Sequence, residues 1–280
     1  MSDEIVAVVA PIAMYWITSC LYAILGRQEY RLHSTEEEEM KNLVPKREVI
    51  RVVLLQHLTQ AAIAFAVFTV RRDGGGAAAS TGAAPAIIVH SWQFMVAMAV
   101  FDTWQYFWHR LLHSNRFLYR HVHSCNHRLV APYPYAAQYQ GRPCGSATCA
   151  TDGPAQYNHP AESLVLDTAG GALALAVSGM SPWTSACFFS FATVKAIDDH
   201  SGMLLPGNPL HLVFANNTAY HDFHHQLRGA GCNYAQPFFV SWDRLMGTYV
   251  SVAIVRASHG GLEVVPAKRR TTRETTSAPA

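Results

Sequence analysis

Half of the 280 residues are hydrophobic and 14% are charged, with a net charge of +2, where an average soluble domain has about a quarter of its residues charged. So small a net charge leaves no nucleic-acid footprint. Six cysteines (Cys20, Cys125, Cys144, Cys149, Cys187, Cys232) without a CxxC pair build no disulfide framework in a chain of this length. What remains is a chain that places much of its surface in lipid, with histidine in excess at fifteen residues.

In chain order, Ile5 to Gly26 is nearly uncharged and long enough for a bilayer, which needs about 20 apolar residues. Asp3 and Glu4 stand where a signal peptide has its basic region. His33, like His57, His90, His211 and His259, stands alone and reads as structural or hydrogen-bonded. Glu36 to Glu39 reads as a solvated acidic face. Val52 to Val70 is a second span, interrupted by Gln56, His57 and Gln60. Residues 71–86 form a Gly/Ala/Ser linker. Ile87 to about Phe107 is a third span with an aromatic end. Leu164 to Met180 and Pro182 to Ile197 are shorter and predict a hairpin that dips into the bilayer without a full crossing. Short apolar runs are equally compatible with buried helices of a soluble protein, but the first and third spans resist that reading. The organisation expected is 1–86 for N-terminal spans and loops, 87–256 for the main domain and 257–280 for a polar, disordered tail.

Lys and Arg set the orientation. If the three spans alternate and the hairpin returns, 18 of the 21 fall on one face, which should be cytosolic. The histidine-rich stretches fall on the same face, although they took no part in that count.

Three clusters carry the chemistry: His109-Arg-Leu-Leu-His113, His121-Val-His123-Ser-Cys-Asn-His127 and His221-Asp-Phe-His224-His225. His109/His113, His123/His127 and His221/His225 are i, i+4 pairs, which share a helix face. Each pair could aim two imidazoles at one metal, and neutral imidazole suits zinc, copper, iron and nickel. One HxxxH is a weak signal. The repetition of the pattern beside spans, and a pool exceeding the four ligands of one tetrahedral zinc, favour two metal ions.

These residues resemble the membrane fatty acid hydroxylase superfamily, within it the plant-type sphinganine C4-monooxygenases. The likeness covers nearly the whole chain. It is most specific at Trp108 to His113, Asn115 to Ser124, Tyr157-Asn-His-Pro160, Leu166 to Gly171, Ser178 to Pro182, Asp198 to Gly202, Asn216 to His225 and Gln236 to Phe239. The resemblance implies an all-α, multi-span protein of the endoplasmic reticulum membrane with its di-metal site on the cytosolic face. It implies two Fe ions held by His109, His113, His123, His127, His200, His221, His224 and His225, with His121 and His159 as further ligands or supports of ligands. Electrons would come from NAD(P)H through a reductase and cytochrome b5. O2 would hydroxylate carbon 4 of sphinganine to give phytosphingosine, the substrate being a free sphingoid base or a ceramide. Two departures stand out. Asn126 replaces a histidine of the family's second box, and roughly sixteen extra residues around Tyr139 to Gln156 read as an inserted loop. They set the alternatives: another lipid oxidase, such as a sterol methyl oxidase or a desaturase, or a catalytically impaired paralogue.

Overall fold

The computed structural model describes residues 3–42, 44–73, 86–124, 126–139, 161–226, 229, 231–258 and 260–267, with the backbone alone at 71–73 and 161. The inserted loop beyond Tyr139, His159, His259 and the tail from 268 lie outside the described residues.

Helices α1 (Asp3–Leu25), α2 (Lys46–Asp73) and α3 (Ala86–Ser114) are long and apolar enough to cross a membrane. Twenty-three residues at 1.5 Å each give α1 a length of about 35 Å, slightly more than a hydrocarbon core. Their outer faces carry Ile17, Ile24, Leu58, Val70, Ile87 and Trp92, all exposed. So much open apolar surface suits acyl chains rather than water.

The expected hairpin is present. A π-helical stretch, Leu164–Ala169, runs into α4 (Gly170–Ser178), and α5 (Pro182–Asp199) returns. Gly179 turns the corner at φ 65, a left-handed conformation that glycine adopts without penalty. Ser181 then caps α5 by accepting from the Thr184 amide, with Pro182 at the first helical position. α5 packs along α1, and α4 packs on α3. Glycine is required at the second contact, since a Cβ on Gly170 would lie 2.5 Å from Trp104 Cδ1. Ala97, Phe101, Ala174, Leu175 and Phe188 form the core between these elements.

Two expectations change. Glu38 is not part of a solvated face: it is buried in the short helix Thr35–Lys41 and pairs with Arg31 and with Lys46, the latter at 2.7 Å. Residues assigned to a polar tail from 257 onward include a strand. β2 (Leu262–Pro266) pairs antiparallel with β1 (Val252–Arg256), with Val252 opposite Pro266 and Arg256 opposite Leu262. Val264 faces inward against Leu32, Ala219 and Phe223, so the hairpin covers helix α6 (Thr218–His225).

Candidate metal centre

α3 ends on its histidines. His109 and His113 sit one turn apart at its C-terminal end, with His109 buried. Asn115 ends the helix and restarts the chain, its side chain accepting from the Phe117 and Leu118 amides. The backbone then widens into a π-helical turn, Tyr119–His123, and tightens into a 3-10 turn, Asn126–Arg128. The pair His123/His127 is therefore not on one continuous α-helix as its spacing suggests. The change from wide to tight turn still brings the two Nε2 atoms to 3.1 Å.

α6 is short, and every one of its residues is buried. Asn217 caps it by accepting from Ala219 and Tyr220. Asp222 accepts from His33 at 2.7 Å. Tyr220 donates to Asp243 at 2.5 Å, and Asp243 also takes the Tyr234 and Ala235 amides at 3.0 and 2.6 Å. α6 is thus fixed to the segment that follows it.

Eight histidines converge in two groups. His109, His113, His123, His127 and His224 form one; His200, His221 and His225 form the other. In each group the ligand atoms lie within 4.8 Å of one another. The groups adjoin, for the His127 and His225 rings are 4.9 Å apart between centroids. All eight are those singled out by sequence.

Hydrogen bonds at Nδ1 fix which nitrogen faces inward. His109 donates to the Tyr234 carbonyl at 2.8 Å, His224 to the Cys232 carbonyl at 2.7 Å, His200 to the Ala196 carbonyl at 2.8 Å and His123 to Glu162 Oε1 at 2.6 Å. A carbonyl only accepts, so Nδ1 carries the proton and a neutral ring presents its bare Nε2. Yet Nε2 of His109 and of His224 face each other at 3.1 Å. Nε2 of His113 and His123 are 2.8 Å apart, and those of His200 and His221 are 2.9 Å apart. For His109 and His224, whose Nδ1 atoms both donate to carbonyls, two lone pairs held so close repel unless a cation stands between them. Protons are poor candidates, because burial holds the rings neutral. His127 is pushed down to about 3 by burial and by the neighbouring His123 imidazole, and His200 to about 4 by burial. Burial also holds His221, His224 and His225 well below the usual imidazole range, with neighbouring imidazoles adding to the effect. A set of inward-facing imidazoles, with His109, His123, His200 and His224 anchored at Nδ1, fits transition-metal ions.

The remaining candidates fall differently. His121 is exposed, with Nδ1 on its own Phe117 carbonyl at 2.8 Å, and it does not join the cluster. Asn126 sits between His123 and His127 and borders a cavity with His123 and His200. His33, His57 and His90 each make a side-chain hydrogen bond, to Asp222, Gln138 and Thr184, and His211 Nε2 lies 3.0 Å from Asp198 Oδ2. Glu162, which anchors His123, was not singled out by sequence. Its only signal is an acid at the start of an otherwise apolar run.

The cavity measures about 240 Å³. One end touches His123, Glu162 and His200; the other is walled by Ala7, Phe68, Leu175 and Phe189 from α1, α2, α4 and α5. It joins the histidines to the lipid-facing helices.

The fatty acid hydroxylase family model matches residues 94–143 and 146–248. The chain is 50% identical to sphinganine C4-monooxygenase 1 of Arabidopsis thaliana, with 96% of each chain covered. It is 35% identical to the sphingolipid C4-hydroxylase sur2 of Schizosaccharomyces pombe over 88% of each. It is also 47% identical to a very-long-chain aldehyde decarbonylase of Oryza sativa, covering 95% of this chain and 96% of the relative. No solved structure matches.

Proposed function

The chain belongs to the fatty acid hydroxylase family, and on that premise we propose that it is an O2-dependent di-iron monooxygenase that hydroxylates carbon 4 of sphinganine to phytosphingosine. The observation that carries this is the double cluster of eight inward-facing imidazoles at the head of an apolar cavity.

Iron bound there supplies the redox chemistry that an unactivated C–H bond requires and that acid–base catalysis does not reach. The reaction consumes O2, two electrons and two protons, and yields the alcohol and water. The electrons come from NAD(P)H through a reductase and cytochrome b5 on the cytosolic face of the endoplasmic reticulum. His109, His113, His123, His127 and His224 form one ligand set; His200, His221 and His225 form the smaller one. The carbonyls of Tyr234, Cys232 and Ala196 and the Glu162 carboxylate keep Nδ1 of His109, His224, His200 and His123 protonated and their Nε2 atoms directed inward. Burial keeps bulk water away. The cavity wall selects the carbon by holding the chain in one register, since a reacting group must be placed within about an ångström.

The 47% identity to a relative named as an aldehyde decarbonylase supports a second reading, in which a long-chain aldehyde occupies the same cavity. One experiment separates the two. Cells lacking their own C4-hydroxylase express the chain or its His224→Ala form, and their lipids are analysed by mass spectrometry. We expect 4-hydroxylated bases with the unmutated chain alone. Long-chain alkanes without hydroxylated bases would establish the second reading instead. Equal hydroxylation by His224→Ala would overturn the ligand assignment.

A further inference from the structure

The cavity holds a band of amides and a carboxylate that the histidine chemistry does not use. Asp167 accepts from Gln56 Nε2 at 3.4 Å and from Gln105 Nε2 at 3.3 Å. Gln236 donates to Gln105 Oε1 at 3.3 Å, and Gln60 donates to Ser163 Oγ at 3.3 Å. Gln60, Gln105, Asp167 and Gln236 all line the cavity. Gln56 and Gln60 lie within α2, and Gln105 within α3. Polar side chains inside spans are expensive and are kept where they face a cavity with work to do. Their mutual hydrogen bonds are at or beyond the long end of the normal range, so a ligand's polar groups can compete for them.

The walls agree on the order of polar and apolar groups. On α3, Gln105 precedes His109 by one turn, and Phe101 lies a turn farther away. On the opposite wall Glu162, the His123 partner, is followed by Asp167, then Gly171, then Leu175. On α2, Gln60 is followed by Ala64 and Phe68. The collar thus lies about one turn, or ~6 Å, from the histidines. Beyond it the cavity continues apolar for roughly 12 Å, the rise of eight helical residues from Gln60 to Phe68.

Asp167 owes its place to the π-helical stretch Leu164–Ala169. Such wide turns leave carbonyls without their usual helical donors and recur at functional sites. Here α3 supplies the donors: Trp104 Nε1 to the Val165 carbonyl at 2.8 Å and Gln105 Nε2 to the Leu166 carbonyl at 3.3 Å.

We propose that this collar seats the cationic head of a long-chain 2-amino-1,3-diol, with Asp167 accepting from its ammonium group and Gln60 and Gln105 meeting its hydroxyls. The hydrocarbon chain then runs past Ala64, Leu175 and Phe68. The proposal rests on the sphingoid-base reading above and adds the residue that recognises the base. An ammonium–carboxylate hydrogen bond is among the strong ones. An N-acylated base has a neutral amide there and brings a second chain. A fatty acid brings a second carboxylate, which Asp167 repels. Carbon 4 is two bonds from the amine-bearing carbon, so seating the head fixes where that carbon lies.

The test is ligand binding to the full chain in detergent, by quenching of tryptophan fluorescence, with sphinganine, N-acetylsphinganine and stearic acid as probes. We expect sphinganine to bind at least about tenfold tighter than the other two, a charge-assisted bond being worth that much or more. Asp167→Asn should weaken sphinganine about tenfold and leave N-acetylsphinganine unchanged. Equal binding of sphinganine and N-acetylsphinganine by the unmutated chain would overturn the proposal, and that comparison needs no variant to fold. So would an equal loss of both ligands in Asp167→Asn. The same preparation is assayed for 4-hydroxylated product. Amine preference without hydroxylation upholds the collar and sinks the reaction; hydroxylation without amine preference does the reverse.

Discussion

Replacing Glu162 by glutamine is the sharpest probe of how the chain holds its centre. Glu162 is 3% exposed, and its Oε1 accepts from His123 Nδ1 at 2.6 Å. In Glu162→Gln the new amide can turn its own carbonyl to the same proton, so the hydrogen bond survives and the charge does not. A charge-assisted bond contributes about 1.5–3 kcal/mol and a neutral one about 0.5–1.5. The difference, about 1.4 kcal/mol, is a tenfold loss of metal affinity, within the 10–100-fold range found when such supporting groups are removed. The metal-free protein should respond the other way or not at all. Among the described residues Glu162 Oε2 is buried with no partner, so the variant sheds a poorly solvated charge. The assay is competition with a graded chelator on purified protein, metal being counted by mass spectrometry, alongside melting of the metal-free form. Unchanged metal affinity, or a drop in metal-free stability as large as the drop in affinity, would refute the reasoning.

Three further expectations follow from the same geometry. Asn126→His should raise metal occupancy of the three-histidine group, read as metal per chain after purification; equal occupancy in both forms would count against it. The metal-free protein should be acid-labile. Histidines whose pKa is lowered by folding contribute stability that is fully present above the unfolded value near 6.5 and declines as pH falls towards their folded values, which lie at about 3 for His127 and about 4 for His200. Its melting temperature should therefore drop between pH 6.5 and 4, and metal should suppress the drop; a flat profile would contradict the neutral-imidazole assignment. Gly170→Ala should destabilise by about 1–3 kcal/mol, as overpacking does, because the new methyl lies 2.5 Å from Trp104 Cδ1; an unchanged melting temperature would show that the indole can retreat.

Histidine spacing makes most of the centre legible in the sequence alone. His109/His113 and His221/His225 are one-turn neighbours on helices, so sequence distance translates directly into space. His123/His127 group together for a different reason from the one their spacing offers, since their proximity comes from a π-turn followed by a 3-10 turn, which no periodicity encodes. Glu162 and the carbonyls of Cys232 and Tyr234 stay hidden. They are neighbours through tertiary contact alone, and a carbonyl has no side-chain signature. Glu38 misleads because a run of four acids looks solvated from composition, whereas Arg31 and Lys46 come from either side of it to neutralise one member. β2 escapes notice because five residues facing one helix give too short a pattern to stand out from a polar tail.

α6 shows why the site and the fold are one problem. Its eight residues are all buried, yet three are histidines and one is an aspartate. Burial of so many polar groups is unfavourable unless each is paired. Asp222 is paired to His33, and His224 to the Cys232 carbonyl. Among the described residues, inward Nε2 atoms face one another at about 3 Å. A cation in each group is the partner that would satisfy them, and the two together would tie α6 to α3 and to the end of α5. Withdrawing the metal should therefore loosen α6 and the β-hairpin that covers it first, while the rest of the fold stays in place. Hydrogen exchange of the α6 amides with and without chelator reads this directly. Protection that persists in the metal-free protein would mean that Asp243, Asn217 and His33 hold the helix by themselves.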